Sequence, residues 1–134
     1  HIDMNGILNI KSTFDGDNAV EYRTDAEVEI KNGAVFISYA ENESDYADTT
    51  TRLGISPDVV SLNRFGRFPA FFLFSVEQKH LCKISTIFGE ADMVVRTDRL
   101  RVDIGESYVA VELSYEMLMG EAVSVCDMSL RCDF

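Results

Sequence analysis

The chain has 134 residues, with no tryptophan, two prolines and only three cysteines. Each shortage narrows what it can be. With 46% apolar residues, few prolines and no long polar tract, it lacks the low hydrophobicity and high charge that together keep a chain disordered. Cations are scarce as well: 12 Lys and Arg stand against 23 Asp and Glu, a formal net charge of −11. Nucleic-acid affinity comes mostly from neutralising phosphates with Lys and Arg, so this balance opposes DNA, RNA and anionic membrane surfaces as partners. The one basic cluster, Arg96, Arg99 and Arg101, is interleaved with Asp98 and Asp103 and reads as a solvated strand face.

Cys82, Cys126 and Cys132 form no Cys-x-x-Cys pair, and an odd count cannot be wholly paired within one chain. Reduced, buried thiols in a cytoplasmic protein are the simplest expectation. No apolar run approaches the roughly 20 residues of a membrane helix, and no signal peptide precedes the first strand. His1 is not a native start, so residues 1–3 are expected to be an addition and Met4 the native beginning, leaving one domain over 4–134. A leader removed upstream of that point would change the expected compartment.

What the chain does have is alternation. Val20, Tyr22, Thr24, Ala26, Val28 and Ile30 share one parity, and Glu21, Arg23, Asp25, Glu27 and Glu29 take the other. That pattern is a half-buried antiparallel strand. Asn32-Gly33 then offers two residues tolerant of positive φ, as a two-residue type I′ hairpin requires, and a strand from about Ala34 to Glu41 follows. The same reading places strands near Ile7 to Thr13, Asp48 to Ile55, Val59 to Phe65, Ala70 to Val76 and Leu81 to Phe88. A long run from Gly89 to Ile104 changes phase between Val95 and Leu100, which a bulge near Thr97 to Arg99 would reconcile. Val109 to Met117 alternates cleanly, and a last strand reaches about Cys132 with a second phase slip expected near Cys126 and Asp127.

No segment carries apolar residues at i, i+3, i+4 and i+7, so little or no helix is expected. The fold class is all-β: a single antiparallel meander of about 8 to 10 strands. So long a meander exposes two edges unless it closes, so a barrel is expected, with a two-sheet sandwich as the alternative.

Several short motifs carry a resemblance. Arg64 and Gly66 form an Arg-x-Gly step, followed by Phe74; Thr86, Phe88 and Gly89 form Thr-x-aromatic-Gly; Thr97, Tyr115 in "LSYEM", "FISY" at Phe36 to Tyr39, and Thr51 complete the pattern. In this order and spacing, from Asn9 to Leu130, the chain resembles the YwiB-like family of small bacterial proteins of unknown function. One departure is Ile84, where that family often has an aromatic. The resemblance implies a calycin, or lipocalin-like, β-barrel in a bacterial cytoplasm, and implies no activity.

Chemistry-bearing residues are few, and most have a plain structural reading. His80, the only histidine after His1, sits in "QKHL" and reads as a surface turn residue rather than a general base or a haem ligand. Cys126 and Cys132 share a parity with Met128 and Leu130, as small core residues would, and no zinc or iron ligand spacing is present. "DGDN" at Asp15 to Asn18 starts like a calcium loop but reads as a hairpin turn. Nearly all the carboxylates lie on wet parities, where they make poor catalysts; Glu90, directly after Phe88-Gly89, is the one singled out among them. No catalytic residue, metal or cofactor is therefore expected.

Arg64 is the most informative residue. It shares parity with Val60 and Leu62 and so points inward, where an unpaired charge costs several kcal/mol. In one reading it closes the barrel floor against carbonyls or an aromatic face, the role closure arginines have in lipocalin-like barrels by resemblance. In the other it receives an anionic head group, with Tyr39, Thr51, Thr86 and Tyr115 as polar companions and Phe72 and Phe74 as apolar wall. The expected partner is then a small apolar or anionic molecule held inside the barrel. A competing expectation is a homodimer or other surface interaction, because "FPAFFLF" at 68–74 is apolar on both parities.

Overall fold

Period-two alternation becomes ten strands in a computed structural model that describes residues 2–41 and 49–134. They are β1 (Ile2–Phe14), β2 (Asp17–Lys31), β3 (Ala34–Glu41), β4 (Thr49–Ile55), β5 (Val60–Gly66), β6 (Ala70–Phe74), β7 (His80–Thr86), β8 (Gly89–Ile104), β9 (Tyr108–Met119) and β10 (Ala122–Asp133). Each pairs antiparallel with its chain neighbours, and β1 pairs with β10, so the sheet closes into a barrel. Closure leaves no edge for another chain to extend. The two-sheet sandwich is thereby set aside. No helix occurs among the described residues.

Turn chemistry behaves as the residues dictate. Asn32 and Gly33 have φ of 53° and 78°, and Asp15 and Gly16 have 52° and 78°, so both hairpins use two residues in the left-handed region. The long strand β8 shifts register against β9 between Thr97 and Arg99, the bulge its change of phase required. The second slip, expected near Cys126 and Asp127, does not occur. Strand β10 keeps an unbroken register against both β1 and β9, and its odd-numbered Val123 and Val125 simply face outward. Strand β7 is also shorter than expected: Ile87 and Phe88 form the exposed turn into β8.

One continuous core lines the inside, with Leu8, Val35, Ile37, Ile55, Val95 and Val109 all fully buried. Burying such a side chain stabilises by about 1.5–3 kcal/mol. Cys82, Cys126 and Cys132 are free thiols within this wall. The outer wall is stitched by charge. Arg96 pairs with Asp98 and Glu116, and Arg101 with Glu112, so β9 supplies acids to the basic cluster of β8.

Gly54 shows how closely outer side chains lie on the sheet. A Cβ there would meet Ser61 Oγ at 2.6 Å and the Phe36 ring at 3.3 Å, because that ring lies across the bare backbone. Arg52 stacks on the other part of the ring at 4.7 Å and reaches Glu29 at 3.8 Å.

Candidate functional site

The polar residues inside the barrel are aligned by register. Tyr39 of β3 lies opposite Thr51 of β4, Thr51 opposite Arg64 of β5, and Arg64 opposite Ala70 of β6. Since side chains alternate along each strand, a residue and its direct cross-strand partner face the same side of the sheet. Tyr39 and Thr51 are buried, at 7% and 0% exposure, and their neighbours along each strand, Ile37 and Leu53, belong to the core. The row therefore lies on the inner wall. Arg64 is half-buried in it, as its parity with Val60 required.

An aromatic wall stands beside this row. Phe72 and Phe74 lie nearly parallel with ring centres 6.2 Å apart, and Phe74 meets Tyr115 of β9 at 4.7 Å. Tyr22 of β2 packs against Tyr39 at 6.0 Å from the other side. Residues from β6 and β9, far apart in sequence, thus meet across the lumen.

Burial pushes both phenols far up. For Tyr39, desolvation is the main cause and Glu41 adds to it, while Thr51 and Arg64 oppose it. For Tyr115, desolvation again leads and Cys126 adds to it, with Arg64 opposing. Both phenols stay neutral at pH 7 and serve as hydrogen-bonding groups. Arg64 acts on both, whereas Glu41 acts on Tyr39 alone among the two. Glu41 also accepts a hydrogen bond from Thr51 Oγ1 at 3.4 Å.

Of the seven residues that sequence pointed to, Arg64, Tyr39, Thr51, Phe72, Phe74 and Tyr115 face the inner side of the wall by register or burial. Thr86 ends β7 opposite Gly89, and its side chain lies outside the described residues. Glu90 is exposed on the wet parity. Among the described residues no three His, Cys, Asp or Glu side chains converge as metal ligands would.

Two further residues belong to the inner wall. His80 is not a surface turn residue: the turn occupies 76–79, and His80 opens β7 on the parity of buried Cys82, with its Nε2 enclosed. Thr97 is 4% exposed and lies opposite Tyr115. Its parity with Met93 and Val95 was legible; its place beside Tyr115 depended on a register across two strands.

The open hollows of the surface lie elsewhere, on the outer wall. One of about 780 Å³ runs past Asn5, Asp25, Glu27, Ser38 and Asp133, and another of about 580 Å³ past Lys11, Glu21, Arg23 and Arg131. Their linings mix charged side chains with apolar ones such as Ile7 and Ile10.

Residues 7–131 match the family described as Domain of unknown function (DUF1934). Among solved structures, the ywiB protein from Bacillus subtilis is similar, with a TM-score of 0.85 at 24% identity over 98% of this chain and 92% of that one. That likeness carries the closed barrel. No curated protein matches.

Proposed function

Since the chain belongs to the DUF1934 family of unknown function, its work has to be read from its own residues, and we propose that it is a non-enzymatic barrel that binds a small, partly apolar anion inside the lumen. The observation that carries this reading is the cation Arg64 on the inner wall, in one row with Thr51 and Tyr39 and within electrostatic reach of Tyr115. A guanidinium offers five donors and cannot be deprotonated, which suits it to a carboxylate, sulfonate or phosphate head group. Phe72 and Phe74 supply the apolar side of the contact.

Lumen size supports the reading. Eight strands are just enough to hold one small ligand, and diameter grows with strand number, so ten enclose more. Leu62, Arg64 and Phe72 are inward by register yet only half-buried, so they keep surface that a ligand could cover. The raised phenols argue for recognition over acid-base chemistry. We also take the cytoplasm as the compartment, where three buried free thiols stay reduced.

The test is a titration with 1-anilinonaphthalene-8-sulfonate, an apolar anion that fluoresces when desolvated. Saturable binding that Arg64→Met weakens on an unchanged fold is expected; binding indifferent to that substitution would remove the reading.

A second reading has its own observation. On the outer wall Leu81, Val94, Leu118 and Val123 sit side by side across β7 to β10, with Leu81 65% and Val123 54% exposed. Phe71, from the apolar segment at 68–74, adds a 45% exposed ring on β6. Such a row suits a second copy of the chain. Sedimentation as a monomer at micromolar concentration would discard it.

A further inference from the structure

On the inner wall, Thr97 Oγ1 and His80 Nε2 have no hydrogen-bond partner among the described residues. Native proteins satisfy nearly all buried polar atoms, so an orphan calls for a partner that the chain itself does not supply. Here the orphans are neighbours. His80 of β7 lies opposite Val95 of β8, and Thr97 stands two residues further along β8 on the same face. Diagonal positions of this kind are about 7–8 Å apart at Cα, within reach of one bridging group. Thr97 also sits at the β8 bulge and directly opposite Tyr115, the phenol that feels Arg64. Bulges recur beside binding sites because they re-aim the flanking side chain.

The donor and acceptor inventory narrows what fits. Thr97 both donates and accepts, and the Nε2 of a neutral imidazole does one or the other according to tautomer. A carbonyl only accepts. A hydroxyl complements both atoms in either tautomer.

We infer that Thr97 Oγ1 and His80 Nε2 form a hydroxyl-binding subsite on the same inner wall as Arg64, so that the ligand is an apolar acid that also bears a hydroxyl. This rests on the anion reading of Arg64 and adds a second anchor to it. The aromatic pair of Phe72 and Phe74 favours an aryl body. The ligand class is then a hydroxy acid with an aromatic tail, of which an aryl 2-hydroxy acid is the simplest case.

The experiment is an NMR titration of the whole chain with two probes that differ by one group: 3-phenylpropanoate and each enantiomer of its 2-hydroxy derivative, phenyllactate. One enantiomer should bind about tenfold more tightly than phenylpropanoate, the worth of a buried hydrogen-bonded pair that the smaller acid leaves unmade. Thr97→Val and His80→Phe should each erase that preference, and Thr97→Ser should keep it. Equal binding of both acids by the wild type, or a preference that survives Thr97→Val, overturns the subsite and spares the Arg64 reading. Binding of neither acid, with saturable anilinonaphthalenesulfonate binding, overturns the subsite alone. If that dye does not bind either, both readings fall together.

Discussion

The two halves of the barrel wall are built from the same alternation and filled differently. Where β1, β9 and β10 meet, the inside is a closed aliphatic surface of Leu8, Val109, Val111, Leu130 and Cys132, with none of them above 4% exposure. Across β3 to β6 the inside carries Tyr39, Thr51, Arg64, Phe72 and Phe74, and both Arg64 and Phe72 are only half-buried. A buried aliphatic face holds the fold and offers a ligand nothing to recognise. A face that retains a cation, hydroxyls and part-open aromatics gives up packing energy, and recognition is what such groups supply.

That contrast can be broken from either side. The largest effect belongs to the aliphatic half: Leu8→Ala should lower stability by about 2–5 kcal/mol in urea denaturation, since a fully buried leucine leaves a cavity its neighbours cannot close. In the other half, Arg64→Met should weaken apolar-anion binding by roughly 10 to 100-fold, the loss of a charge-assisted hydrogen bond, while shifting the urea midpoint far less. If the two substitutions had the reverse effects, the assignment of the two faces would be wrong.

Smaller changes sharpen the picture. A methyl at Gly54 would press on Ser61 Oγ and displace the Phe36 ring from the outer wall. Gly54→Ala should therefore cost about 1–3 kcal/mol of stability without touching ligand affinity. The thiols respond to pH. Burial pushes Cys126 and Cys132 up to about 11 from an ordinary 9.0, so the folded chain holds protons that the unfolded chain has released. Stability should fall as pH rises from about 9 towards 11, and less steeply in Cys132→Ala. At pH 8 both thiols should resist Ellman's reagent until the protein is unfolded; prompt labelling would contradict their burial.

The strands were legible because parity is a local property. Tyr22, Thr24, Ala26 and Val28 announce an inner face without help from distant residues, and the change of phase between Val95 and Leu100 announces the bulge at Thr97. Strand β10 misled because Val123 and Val125 are apolar on the outer face; the register that sets Val123 beside Leu118 of β9 cannot be seen within "AVSVCDM". His80 misled by one position, since "EQK" does form the turn and the histidine is the first residue past it. The site was legible only as separate residues. That Arg64 of β5 and Tyr115 of β9 share a lumen follows from closure, which no single segment encodes.

Native mass spectrometry of the protein purified from its own host, compared with a denatured control, tests the central claim most directly. A reproducible excess mass of small-metabolite size, released on denaturation and absent from Arg64→Met, is the expected result. A bare chain mass in both proteins, monomer or dimer, would contradict the container and move the working surface to the outer row of Leu81, Val94, Leu118 and Val123.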